Sequence, residues 1–222
     1  MFKQIFELFK ADSLYEQALV ECYEMLEIDR EMFNESVKSL RASDTADIPI
    51  DIYAMDKKIN EFERDVRRKV MTHLAVSGNE DLGSGLILVS VVVDIERIGD
   101  YTKNIYDLAV QHPKKLTAGS FEEKLCDIEN STKEFLNKAI DAFKSQNIDD
   151  ARKLMVEYKT DISSTSNDIV NAIVSGTNDE FSSEKAGSLC LYVRYLKRIA
   201  AHSRNLASSI VNPFERIGYP EK

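Results

Sequence analysis

Placing Leu88 on Leu189 aligns LVSVVVDIERIGDYTKNI with LCLYVRYLKRIAAHSRNL without a gap. Leu88 and Leu189, Val92 and Val193, Arg97 and Arg198, Ile98 and Ile199, and Asn104 and Asn205 are identical pairs. Ile95 and Leu196, Gly99 and Ala200, Thr102 and Ser203, Lys103 and Arg204, and Ile105 and Leu206 match in kind. A stretch that returns half a chain later restricts the fold more than composition does, because each half must bury a similar face against similar neighbours. The apolar spacing inside the repeat is helical, so the expectation is an all-α chain made of two related units.

Helix punctuation divides the rest. Residues 1–10 carry Phe2, Ile5, Phe6 and Phe9 at i, i+3, i+4 and i+7, a short amphipathic helix. Ser13 followed by Glu16 reads as a capping box. The helix it opens carries Tyr15, Ala18, Leu19, Cys22, Leu26, Phe33, Val37 and Leu40, and a polar link from Ser43 to Pro49 ends it. A second helix starts near Asp51, with Ile52, Met55, Ile59, Phe62, Val66 and Val70 as its stripe, and ends before Gly78. The third runs from Leu82 to Gln111 and stops at Pro113.

Lys114 to Gly119 is the best boundary between the halves. Phe121, Leu125, Ile128, Thr132, Phe135, Ala139 and Phe143 form the fourth stripe. Asn147 caps a fifth helix with Leu154, Tyr158, Ile162, Ile169 and Ile173 inward, and Gly176 to Ser183 is a turn. The sixth helix runs to Asn212 and Pro213 stops it. The expectation is therefore six helices as two tandem, sequence-related three-helix bundles, residues 11–115 and 120–212. Residues 1–10 precede them as the short helix, and residues 213–222 follow as a tail.

The net charge of −9 argues against nonspecific nucleic-acid binding, which needs basic surface to displace counterions. It argues equally against broad adhesion to anionic lipid. Cys22, Cys126 and Cys190 are odd in number and far apart, and each sits among apolar residues. They read as reduced core thiols of a cytoplasmic protein, not as a zinc knuckle or a disulfide framework. The longest apolar stretch, Leu86 to Val93, is too short to span a bilayer, and the N-terminus does not read as a signal peptide.

The third helix carries the chemistry. At roughly 100° per residue, Leu86, Val89, Val93, Glu96, Asp100 and Asn104 share one face. Ile87, Val91, Ile98 and Ile105 lie opposite. A helix apolar on two faces is expected at the centre of its bundle. Glu96 and Asp100, one turn apart, repel each other unless something offsets them. A metal cation does that well, because hard or borderline ions accept carboxylate oxygens. Pairing with Arg or Lys on a solvated face does it too, and spacing alone favours that plainer reading. On the second helix Asp56, Asn60 and Glu63 flank the stripe, either as partners for the third helix or as a polar border.

Ile95-Glu96-Arg97-Ile98-Gly99-Asp100-Tyr101 with Asn104 resembles the signature helix of the PhoU family, close to E-R-I-G-D-x-x-x-N. The resemblance covers nearly the whole chain after residue 10. It implies two similar three-helix bundles and a regulator that restrains phosphate uptake through a membrane transporter and communicates with a sensor kinase. It also implies iron or zinc bound by acidic motifs. Carried over, the ligands are Glu96, Asp100 and Asp56, with Asn60 where an acid is usual and with Glu63 and Asn104 as further polar candidates. So thin a donor set also allows a weak site or a protein with no metal. In the second half Lys197 stands for Glu96 and Ala201 for Asp100, so that site is expected to be lost. Glu157 and Asp161 are spaced like ligands, but the apolar register puts Lys159 and Ser163 at their place. His202 reads as a surface or interhelical residue.

The implied protein is a cytoplasmic adaptor, expected to dimerise, whose partners are a transporter or kinase at the membrane face. The N-terminal phenylalanines fit capping or dimer packing better than membrane contact, for which Lys3 and Lys10 are too few flanking cations. A carboxylate-bridged metal enzyme needs inward Glu-x-x-His pairs, and His73, His112 and His202 each lack the Glu. No G-x-S-x-G elbow or glycine-rich phosphate loop is present. A purely structural helical module carrying a relic motif is the remaining alternative.

Overall fold

The computed structural model of the chain describes residues 13–77, 81–112, 114–177 and 180–221. The expected N-terminal helix of residues 1–10 lies outside them. The described residues form α1 (Leu14–Ala42), α2 (Ile52–Ser77), α3 (Leu82–Gln111), α4 (Glu122–Ser145), α5 (Ile148–Glu157), α6 (Ser164–Val174) and α7 (Ser183–Val211). Short 3₁₀ turns precede α4, at Gly119–Phe121, and follow α7, at Phe214–Arg216. No strand occurs among the described residues.

The caps read from the sequence are formed. Ser13 and Glu16 make the reciprocal capping box of α1. Asn147 Oδ1 accepts from the backbone N–H groups of Asp149 and Asp150 to open α5. Such a cap satisfies donors that the first turn otherwise leaves bare.

Among the described residues seven helices, not six, are present, because the fifth is interrupted. Residues Tyr158–Ser163 form a π-helical segment between α5 and α6. The cause lies in the stripe. Leu154, Tyr158 and Ile162 are spaced by fours, so on a regular α-helix each step drifts about 40° from the core. The wider π turn absorbs that drift, and Leu154, Ile162 and Ile169 all remain buried. The side chains of residues 159–161, including Asp161, lie outside what is described.

In the first bundle α1, α2 and α3 pack mutually, and in the second α7 packs against α4, α5 and α6. The two bundles meet chiefly where α3 lies along α7, so the repeated helices face each other. α3 is central, as expected, but its buried faces differ in part. Val91, Ile98 and Ile105 are buried on one side, and Leu88, Val92, Ile95 and Gly99 face inward as well, while Leu86 is exposed. The contact with α7 turns the second face by part of a turn from the line through Leu86 and Val93, a rotation that periodicity within one helix does not encode.

The linker is a clamp. Leu116 and Ala118 are fully buried, and the Leu116 N–H donates to Leu40 O at 2.8 Å. Arg41, at the end of α1, donates to Leu116 O and to Glu122, and it meets Glu129 at 2.6 Å. Tyr192 of α7 donates to the same Glu129 at 2.7 Å. Residues after α7 fold back: Gly218 N–H donates to Ser208 Oγ at 2.9 Å, and Arg152 pairs with Glu221 at 2.7 Å. Cys22 is buried as expected, whereas Cys126 and Cys190 are only partly so. No helix among the described residues is long and apolar enough to cross a membrane.

Candidate functional site

The packing of α1, α2 and α3 brings a group of acids together halfway along the first bundle. Asp29 comes from α1, Asp56 and Glu63 from α2, and Glu96 and Asp100 from α3. Asp29 is fully buried, and neither of its oxygens has a hydrogen-bond partner among the described residues. It lies under Gly99, where an added Cβ would come within 2.9 Å of both Asp29 Oδ1 and Ile59 Cδ1. The glycine of the I-G-D run is thus what lets α3 close on α1 and α2 at this level.

The chain's own cations reach most of these acids. Lys103 Nζ is 2.9 Å from Asp56 Oδ1 and 3.4 Å from Asp100 Oδ1. Arg97 Nη1 is 2.6 Å from Asp100 Oδ2, and its Nε is 3.3 Å from Glu96 Oε2. Arg67 meets Glu63 at 2.8 Å. Asn60 donates its amide to Asp56 O at 2.9 Å, so it presents a donor to that side chain's surroundings. Asn104 takes no part in these ion pairs.

Crowding shifts the proton equilibria. Burial first, then the neighbouring Asp100 and Glu63 charges, push Glu96 up to about 7, with Arg97 opposing. Asp29 is held well above the usual carboxylate range by burial and by Glu96 and Asp56. For Lys103 burial acts to lower the value, but the Asp56 and Asp100 carboxylates outweigh it and the net shift is upward.

Glu96 and Asp100 therefore share a face, as their spacing predicts, and Asp56 joins them across the helix contact. Glu96 is not on a solvated face; only 8% of it is exposed. Asp29 is the member that the sequence reading missed. Its signal was present: it interrupts the apolar series Cys22, Met25, Leu26, Met32 and Phe33, all of which are buried with it.

These residues fit an iron or zinc site poorly. Asp56 and Asp100 are already engaged by Lys103 and Arg97, Arg97 Nε lies 3.3 Å from Glu96 Oε2 without hydrogen-bonding it, and Asn60 turns a donor toward Asp56. Among the described residues no three His, Cys, Asp or Glu are grouped so that they could hold a metal ion. In the second bundle Lys197 Nζ instead donates to Asn167 Oδ1 at 2.7 Å, and burial with the adjacent Arg194 and Arg198 lowers its pKa.

A second polar cluster joins the bundles. His202 Nδ1 lies 2.7 Å from Asp94 Oδ1, and Asn205 Nδ2 donates to the same oxygen at 2.9 Å. Arg198 Nη2 is 3.0 Å from His202 Nε2, and Arg198 Nε donates to Tyr101 OH at 3.2 Å. Tyr101 stacks on His202 with ring centroids 5.8 Å apart. These two rings occupy matching positions of the repeat. His202 is interhelical, one of the two readings its sequence position allowed.

The PhoU domain family matches residues 22–109 and 125–218, one stretch in each bundle. The chain is similar to a phosphate-specific transport system accessory protein PhoU homolog from Clostridium acetobutylicum, 23% identical over 209 residues that span 92% of this chain and 88% of the relative. Among solved structures it resembles PhoU from Pseudomonas aeruginosa, with a TM-score of 0.81 and 21% identity over 91% of this chain and 97% of that one. It also resembles the phosphate transport system regulatory protein PhoU from Streptococcus pneumoniae, with a TM-score of 0.76 and 19% identity over 89% of this chain and 93% of that one.

Proposed function

Because the chain belongs to the PhoU family, we propose that it is a regulatory accessory protein of phosphate transport. The observation that carries this reading is the family match across both bundles, together with a relative of nearly full-length coverage that bears the name of a phosphate-specific transport system accessory protein. The chain acts by contact, not by turnover. Its partner is a component of a phosphate transporter, or a sensor kinase coupled to one, at the cytoplasmic face of the membrane. It works as a homodimer.

The interior supports such a role. The bundles are joined by two ionic clusters, one around Arg41 and one around His202, so a force applied to one bundle is transmitted to the other. Within the acidic cluster of the first bundle Lys103, paired with Asp56 and Asp100, ties α2 to α3.

The test is affinity capture of the tagged full-length chain from membranes of phosphate-replete and phosphate-starved cells, with cross-linking before lysis. A phosphate transporter subunit or its kinase is expected among the captured proteins, in amounts that change with phosphate supply. Recovery of neither under either condition ends the reading.

A further inference from the structure

Lys103 stands where a cation bridging α2 and α3 would have to stand. Its ammonium is 2.9 Å from Asp56 Oδ1 on one helix and 3.4 Å from Asp100 Oδ1 on the other. Two carboxylates from neighbouring helices sharing one positive centre is the arrangement a bridging metal ion otherwise makes. The remaining oxygen of Asp100 is held by Arg97 at 2.6 Å, and the same guanidinium approaches Glu96 Oε2 at 3.3 Å. Glu63 has Arg67 at 2.8 Å. Each of the four acids on α2 and α3 in this cluster thus has a cation of the chain within 3.4 Å, Glu96 by proximity to Arg97 alone, without a hydrogen bond to its Oε2. Only Asp29, fully buried with both oxygens unpartnered, has none.

We propose that Lys103 is a tethered resident cation that occupies the carboxylate site between α2 and α3 in place of a metal ion, so that this chain keeps its acid cluster closed without iron or zinc. A divalent ion entering the site must displace the ammonium from both Asp56 and Asp100, and it then faces the charges of Lys103 and Arg97. Removing Lys103 leaves Asp56 and Asp100 on facing helices with no shared cation, and Asp29 and Glu96 beside them. The carboxylate site is therefore latent: one substitution opens it. This charge arrangement is independent of the regulatory reading, since either can fail alone.

The experiment compares full-length wild type, Lys103→Met, Lys103→Arg, Asp56→Asn and Lys103→Met/Asp56→Asn, each stripped with chelator and titrated with Zn²⁺, and with Fe²⁺ under anaerobic conditions. Calorimetry gives stoichiometry and affinity, and circular dichroism gives the melting temperature with and without metal. Lys103→Met is expected to bind about one equivalent of Zn²⁺ at least tenfold more tightly than wild type, and to gain several degrees of Tm from it. Lys103→Arg keeps a cation in place and stays like wild type, and adding Asp56→Asn abolishes the gain. If Lys103→Met does not fold when stripped, refolding in Zn²⁺ decides the question: helical signal returns with metal if the proposal holds and fails to return if it does not. The proposal is overturned by wild type taking up an equivalent of metal that Asp56→Asn removes, or by wild type and Lys103→Met binding equally.

Discussion

His202 Nδ1 and Asp94 Oδ1 meet at 2.7 Å across the contact between α3 and α7, joining residues 108 positions apart. The other ring nitrogen faces Arg198 at 3.0 Å. A guanidinium has only donors, so Nε2 accepts and the ring proton resides on Nδ1, where it donates to Asp94. The histidine is fixed as one tautomer by groups from both bundles.

That arrangement makes the two residues a unit. Truncating Asp94 strips the buried His202 Nδ1–H of its acceptor, and truncating His202 leaves buried Asp94 with Asn205 as its remaining donor, so His202→Ala and Asp94→Ala each cost about 2 kcal/mol. The double variant costs less than their sum, with a coupling of about 1 kcal/mol or more. Urea unfolding of the four proteins checks it; additive effects contradict the pairing.

Stability falls as pH rises through the range in which Glu96 ionises. Its pKa stands near 4.5 in the unfolded chain and rises to about 7 in the fold, with burial and then Asp100 as the main causes. The folded state therefore binds the proton more tightly, and the Glu96 contribution is fully present below 4.5 and lost progressively up to about 7. Asp29, shifted the same way, adds to the trend. Between pH 5 and pH 8 the Glu96 contribution amounts to roughly 2 kcal/mol. Glu96→Gln is expected to flatten the profile, which denaturant unfolding at several pH values measures. A wild-type profile that rises over this interval, with no difference from the variant, contradicts it.

Gly99 and Gly187 are opposite cases within helices. A Cβ at Gly99 meets Asp29 Oδ1 and Ile59 Cδ1, each at 2.9 Å, whereas one at Gly187 meets nothing within 4 Å. Gly99→Ala is expected to destabilise by about 1–3 kcal/mol through overpacking. Gly187→Ala gains up to about 1 kcal/mol from helix propensity. Thermal melts of the two single variants check the contrast.

Arg41 clamps α1 to the second bundle through Glu122, Glu129 and the Leu116 carbonyl. Burial favours loss of its charge, but Glu122 and Glu129 more than offset that and hold the guanidinium charged. Arg41→Ala leaves Glu129 partly buried beside Tyr192 without its cation, at a cost of about 3 kcal/mol. Faster amide exchange is expected around Leu116 and Ala118, and exchange unchanged from wild type contradicts the clamp.

Much of the fold is legible in the sequence because it is local. The capping box at Ser13 and Glu16 and the Asn147 cap each involve residues three or fewer apart. The stripe of α1 and the shared face of Glu96 and Asp100 follow from helical spacing. What escapes is long-range or depends on register. Asp29 occupies a stripe position that spacing assigns to the core, and its place beside the acids of α2 and α3, close under Gly99, depends on how three helices meet. The π segment resolves a drift that accumulates over Leu154, Tyr158 and Ile162. The Asp94–His202 pair depends on how two helices from separate repeats lie against each other, which neither repeat encodes alone. The cations Lys103, Arg67 and Arg97 are plain in the sequence, yet their assignment to particular acids needs the distances.

The regulatory role is tested most directly by radiolabelled phosphate uptake in cells with and without the gene for this chain, at limiting and at abundant phosphate. The account predicts that cells lacking the chain continue rapid uptake after phosphate is restored, while cells that have it slow down. Uptake that is identical in the two strains at every phosphate level contradicts it.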